Sequence, residues 1–247
     1  MVFPISLLWL FVAAMVISSI GFKNYVWFIS LGYGFSIAGE GILMLILYGK
    51  TLQVDTVLCC ALFVLYGLRL GGYLAIREAK SSSYKKNMTG EIKDGKTIPF
   101  GVKIAIWITC AALYVTQVSA VLYRLENNSE TNVWAYVGAA VMALGLVLET
   151  AADIQKNNAK KINPRRFVDT GLYRLVRCPN YLGEILMWWG IGLSAFFAMD
   201  KNPVMLLGAF ANTLLFLFIS IPLAEGHQSR KEGFEQAERP LDILKYI

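Results

Sequence analysis

Apolar runs of membrane-spanning length recur along nearly the whole chain, and this one feature leaves few folds open. A helix needs about 20 consecutive, mostly apolar residues to cross a bilayer, and in lipid each backbone polar group must be bonded inside the span. Seven such runs are predicted, at 4–20, 25–48, 56–76, 100–123, 133–152, 181–199 and 203–223. Only 16% of the 247 residues are charged, against about a quarter in soluble domains, so no stretch remains for a sizeable soluble unit. The fold expected is all-α, a polytopic membrane protein with seven transmembrane helices in one membrane domain spanning 1–247. The first run lacks a basic leader and a clear cleavage site, and reads as a retained span.

Charge then sets the orientation. With the N-terminus outside and the C-terminus cytoplasmic, 19 of the 23 lysines and arginines fall on the cytoplasmic side, as positive-inside bias requires. Lys50, Arg124 and Lys201 lie opposite, and Arg69 lies within a span. The net charge of +6 sits between apolar runs, not on a solvated face, which argues for membrane orientation and against a nucleic-acid partner. The four cysteines lack metal-ligand spacing and His227 is the single histidine, so no metal is expected. The two basic cytoplasmic loops fit either an anionic soluble ligand or simple orientation bias.

The most informative stretch is FVDTGLYRLVRCPNYLGEILMWW, residues 167–189. A polar segment with Asp169, Arg174 and Arg177 passes through Cys178-Pro179 into an apolar run carrying Asn180 and Glu184. Proline is tolerated in a first helical turn, so a helix should start near Pro179. Asn180 and Glu184 then stand on one face, with Trp188 next in the row. An ionisable group inside a membrane helix is a functional-site candidate by default, and tying helices together is the plainer role for Glu184.

Two further stripes are visible. Tyr66, Arg69, Tyr73 and Arg77 follow one helix face in the third span, and Glu149, Asp153, Lys156 and Lys160 follow one in the fifth. Neither stripe can face lipid, so the two should face each other or a shared cavity near the cytoplasmic side. Glu40, between Gly39 and Gly41 in the second span, fits either a ligand-accessible acid or a packing site paired to Arg69. The tail after Glu225 is expected to lie along the membrane surface.

The segments DTGLYRLVRCPNYLGEILMWWG, LETAADIQK, YGLRLGGYLAIR and IPLAEGHQSRKEGF together resemble the steroid 5-alpha-reductase family, in its bacterial-type branch of small membrane proteins. The likeness covers 66–247, a steroid 5-alpha-reductase-like cofactor-binding part. It implies a seven-span reductase that uses NADPH to reduce a carbon–carbon double bond conjugated to a ketone in a steroid or other lipid. It further implies that Tyr66 hydrogen-bonds the substrate ketone and that Arg69 and Arg77 line the cofactor channel. By the same likeness Asp153 lies near the adenosine half, Asn180 and Glu184 contact the nicotinamide end, and Arg174 and Arg177 form a basic approach to the phosphates. A donor at the ketone oxygen stabilises charge developing there, which suits Tyr66, with Glu40 as a second catalytic candidate in its protonated form.

Where those reductases carry a Gln-Glu pair in the second span, this chain has Gly39-Glu40, so a different enone or lipid stays open as substrate. Related isoprenylcysteine carboxyl methyltransferases, which use S-adenosylmethionine, carry a similar Arg-His-Pro-x-Tyr segment; Arg177-Cys178-Pro179 and Glu184 match the reductases better. A transporter or scaffold on the same fold is a third reading. Either a bacterial inner membrane or the endoplasmic reticulum fits, and oligomeric state is open.

Overall fold

Apolar side chains cannot drive helices together in lipid, so close packing falls to small residues that let backbones approach. The computed structural model, which describes residues 4–80 and 98–235, shows where this chain uses that device. In order, α1 (Ile5–Ser18) runs into a 3₁₀ turn, then come α2 (Val26–Ile29), α3 (Leu31–Leu47), α4 (Val54–Lys80), α5 (Phe100–Glu126) and α6 (Val133–Ile162). A short α7 (Leu172–Leu175) precedes α8 (Pro179–Ala198). The last span opens with a 3₁₀ turn and continues as α9 (Leu207–Leu215), a π-helical stretch (Phe216–Ser220) and α10 (Ile221–Gln228). No β-strand occurs among the described residues; Arg166 and Glu232 form an isolated bridge.

Among the described residues six helices are long and apolar enough to cross a membrane, and the chain is an all-α, membrane-integral protein. The second expected span differs from the sequence reading. It is divided at Ser30, whose backbone leaves the helical region (φ −120°, ψ −88°), and the remaining apolar helix α3 has 17 residues. The lysines expected in the loop around 85–96 lie outside the described residues.

Two antiparallel glycine seams set the layout. Between α6 and α8, a Cβ on Gly183 would stand 2.6 Å from the Glu149 amide nitrogen, and one on Gly190 would stand 2.6 Å from the Gly138 carbonyl oxygen. Between α3 and α4, a Cβ on Gly67 would stand 2.6 Å from the Ala38 nitrogen, and one on Gly34 would stand 2.7 Å from the Gly71 nitrogen. Only glycine permits such approach. The consequence is positional: the first seam sets Glu149 beside Glu184, and the second sets Tyr33 beside Tyr66.

At the far end of the bundle from these acids, Arg124 in the last turn of α5 pairs with Asp55 in the first turn of α4. Both side chains are fully buried, and Thr131 Oγ1 donates to Asp55 Oδ1 at 2.8 Å. Arg124 was expected among the charges flanking the membrane; helix α5 continues past it and Asp55 draws it inward. The tail is described as far as residue 235, and the rest lies outside the described residues. The described part turns back onto the loop before α7, with Phe167 N donating to the Glu232 carbonyl at 2.8 Å and the Phe167 and Phe234 rings meeting edge to face at 5.1 Å.

Candidate functional site

Helix α8 starts where proline predicts, with Pro179 in its first turn and Cys178 outside it. That start carries Glu184 one and a half turns into the bundle, where it is buried. Tyr33 Oη donates to Glu184 Oε1 at 2.6 Å, and Tyr66 Oη donates to Tyr33 Oη at 3.0 Å. Gln117 Nε2, from α5, also donates to Tyr33 Oη at 3.4 Å. The result is a relay from Tyr66 through Tyr33 to Glu184, drawn from three helices. Trp188, one turn beyond Glu184, packs edge to face on Tyr66 at 5.8 Å and fixes that ring.

Next to this relay, Arg69 bridges two acids of α6. Its Nη1 donates to Glu149 Oε1 and its Nη2 to Asp153 Oδ2, each at 2.5 Å. The two polar stripes read from the sequence therefore do face each other. Arg69 remains 19% exposed and Asp153 15%, so neither side chain is sealed from the surface. Arg77 lies about two turns further along α4, its guanidinium 5.7 Å from the Tyr73 ring centre. Lys156 stands 6.0 Å over Tyr173, whose phenol is pushed above its ordinary value by burial and then by the Asp153 charge.

Several buried polar atoms around the relay have no hydrogen-bond partner among the described residues: Glu149 Oε2, Gln117 Oε1, Trp188 Nε1 and both amide atoms of Asn212. Buried polar groups are normally paired, and Trp188 lies one turn beyond Glu184 on α8. Donors and acceptors left open around one carboxylate are what a polar ligand would fill.

The remaining predicted residues divide. Arg177 pairs with Glu225 at the end of the last span and lies 6.0 Å from the Phe234 ring centre. Asn180 is half-buried one turn before Glu184. Arg174 is exposed and, with Arg166, Asp169, Thr170 and Gly171, lines an open cavity of about 330 Å³ on the loop. Glu40 is fully buried and neither carboxylate oxygen has a partner. It is not paired to Arg69, whose partners are the two acids of α6. Glu40 sits two turns along α3 from Tyr33, on the same face, and belongs to no hydrogen bond of the relay.

Tyr33, Gln117 and Asn212 were not singled out from the sequence. Each had a signal: Tyr33 is seven residues before Glu40, and Gln117 and Asn212 are isolated amides within apolar runs. No curated protein and no solved structure matches the chain. A family model does match, over residues 11–239, and by it the chain belongs to the family described as protein of unknown function (DUF1295).

Proposed function

We propose that this protein is a membrane-embedded reductase that uses NADPH to saturate a carbon–carbon double bond conjugated to a ketone, in a steroid or another lipid. The observation that carries the reading is the Tyr66–Tyr33–Glu184 relay, a buried hydroxyl donor held at membrane depth beside unpaired polar atoms. The resemblance of residues 66–247 to steroid 5-alpha-reductases supports it.

The residues present fit a dinucleotide. A nicotinamide carboxamide needs both a donor and an acceptor, and Asn212, Trp188 and Glu149 offer such atoms unpaired. Asn180 and Glu184 would hold that end, Arg69 and Asp153 would flank the channel, and Arg77, Arg174 and Arg177 would meet the phosphates. When bound, NADPH supplies the hydride for the β carbon of the enone.

The protein's own part is charge stabilisation and protonation at the substrate. As the β carbon is reduced, negative charge develops on the ketone oxygen, and a preorganised donor there lowers the barrier. Tyr66 provides it by turning its O–H from Tyr33 to the ketone oxygen. Tyr33 then keeps Gln117 as donor and Glu184 as acceptor, so no buried hydroxyl is orphaned by the switch. The Trp188 ring holds Tyr66 in place, and the apolar helices exclude water. Glu40, buried two turns from Tyr33, is a second proton donor for a substrate reaching that depth.

The test is NADPH oxidation by detergent-purified protein with a panel of enone lipids, for the wild type and Tyr66→Phe. The reading expects saturable turnover that Tyr66→Phe lowers by about 100-fold or more while leaving dinucleotide binding in place. Unchanged turnover in Tyr66→Phe would remove Tyr66 from the chemistry.

A further inference from the structure

At the Arg124 end of the bundle, two loops border an open cavity that the relay does not use. The loop from α5 to α6 and the loop from α8 to the last span meet there. Asn132 Nδ2 donates to the Phe197 carbonyl at 3.4 Å, and the Trp134 and Phe197 rings stack at 4.2 Å. The cavity measures about 720 Å³, and its lining includes Asn128 and Glu130 from the first loop and Asp200 and Lys201 from the second. That volume is in the range that small-molecule sites occupy. The side chains of these four residues make no hydrogen bond or ion pair among the described residues.

The backbone holds these side chains under strain. Helix α5 ends with Ser129 N donating to the Arg124 carbonyl at 3.0 Å, and α8 ends with Lys201 N donating to the Phe196 carbonyl at 2.9 Å. In closures of this kind the residue before the donor turns left-handed, and glycine is its usual occupant. Here that residue is Asn128 (φ 45°) after α5 and Asp200 (φ 50°) after α8, and Lys201 is itself left-handed at φ 57°. These are the three non-glycine residues with positive φ among the described residues, and all three line this cavity. Away from it, left-handed backbone falls on Gly171 and Gly233. Asparagine and aspartate tolerate the conformation in part, and lysine does so less readily. Strain of this kind collects where side chains have a task; closing the two helices requires only glycine.

Glu130 and Asp200 supply one carboxylate from each loop, and Lys201 supplies an ammonium. The set complements a zwitterion made of an ammonium and a phosphate. The partly exposed Trp134, stacked on Phe197, is the kind of ring that sits at headgroup level, and Met199 and Pro203 give the cavity an apolar border. A lipid is therefore the source of the zwitterion. We propose that the cavity binds the headgroup of phosphatidylethanolamine, its ammonium on Glu130 and Asp200 and its phosphate on Lys201. A primary ammonium has three N–H donors to share between the two carboxylates, whereas the quaternary nitrogen of choline has none. Phosphatidylglycerol has no ammonium at all. The inference is independent of the reductase reading.

The test is a titration of the detergent-purified full chain with dioleoyl phosphatidylethanolamine, phosphatidylcholine or phosphatidylglycerol in mixed micelles, read as the melting temperature. Wild type should respond to phosphatidylethanolamine at concentrations about 10-fold below those the other two lipids need, the worth of a charge-assisted contact. Glu130→Gln should remove that preference. Asp200→Gly should remove it too, with a lipid-free melting temperature equal to or above wild type, because glycine relieves the left-handed turn. Equal responses to the three lipids in wild type, or a preference that survives both substitutions, would overturn the site. A lower lipid-free melting temperature in Asp200→Gly would assign that side chain to the fold and overturn the argument from strain. Free phosphoethanolamine that stabilises as well as the lipid would overturn the lipid as its source. Glu130 lies on the other loop, so its result stands whether or not Asp200→Gly folds.

Discussion

The bundle contains two arginine–carboxylate clusters, and they are built differently. At one end, Arg124 and Asp55 form a one-to-one pair with no exposed surface. At the other, Arg69 faces Glu149 and Asp153, with Glu184 close behind, and Arg69 keeps 19% of its side chain exposed. The first cluster is closed to solvent and equal in charge, although Arg124 Nε and Nη1 lack a hydrogen-bond partner, and it ties the entry of α4 to the exit of α5. The second has more acid than base and keeps Arg69 and Asp153 partly exposed. Charge inside a membrane protein can serve either end; accessibility and imbalance distinguish a binding site from a fastening.

Substitutions can break that distinction. Asp55→Ala should have the largest effect on the fold, about 3–5 kcal/mol of stability, because it strands a buried guanidinium. Wherever that variant still folds, its ligand response should match wild type, and melting with and without NADPH checks both points. Tyr66→Phe should do the reverse, with turnover down by about 100-fold and a melting temperature close to wild type. Glu184→Gln keeps the shape and replaces the carboxyl group by an amide, so NADPH binding should weaken by about 10-fold with a smaller change in turnover at saturation. Tyr173→Phe removes an unpaired buried hydroxyl while keeping the ring under Lys156, and should change stability by less than about 1 kcal/mol.

Periodicity is a local property, and the parts of the site that obey it were legible in the sequence. The Tyr66–Arg77 and Glu149–Lys160 stripes are helix faces, and polar faces on apolar helices must meet. Their meeting through Arg69 follows from that alone. Pro179 marked the start of α8, and so the depth of Glu184. Tyr33 escaped notice because its role depends on which helix lies across from it, which the Gly34–Gly67 contact decides. Gln117 and Asn212 are single polar residues whose facing a sequence does not report. The break at Ser30 has no proline to announce it, and the tail's return to Phe167 is a pairing across more than 60 residues. Glu40 was legible as a buried acid but its neighbours were not, since the alternative partner Arg69 was already taken by two closer acids.

The central claim is that the accessible cluster binds a dinucleotide. Its most direct test is the melting temperature of the detergent-purified chain with NADPH, NADH or S-adenosylmethionine, since a ligand that binds only the folded state must stabilise it. The account predicts stabilisation by NADPH that exceeds that by NADH, and none by S-adenosylmethionine. Stabilisation by S-adenosylmethionine alone would contradict it and move the protein to the methyltransferases. Silence toward all three would return the Glu184 relay to the role of a helix fastening.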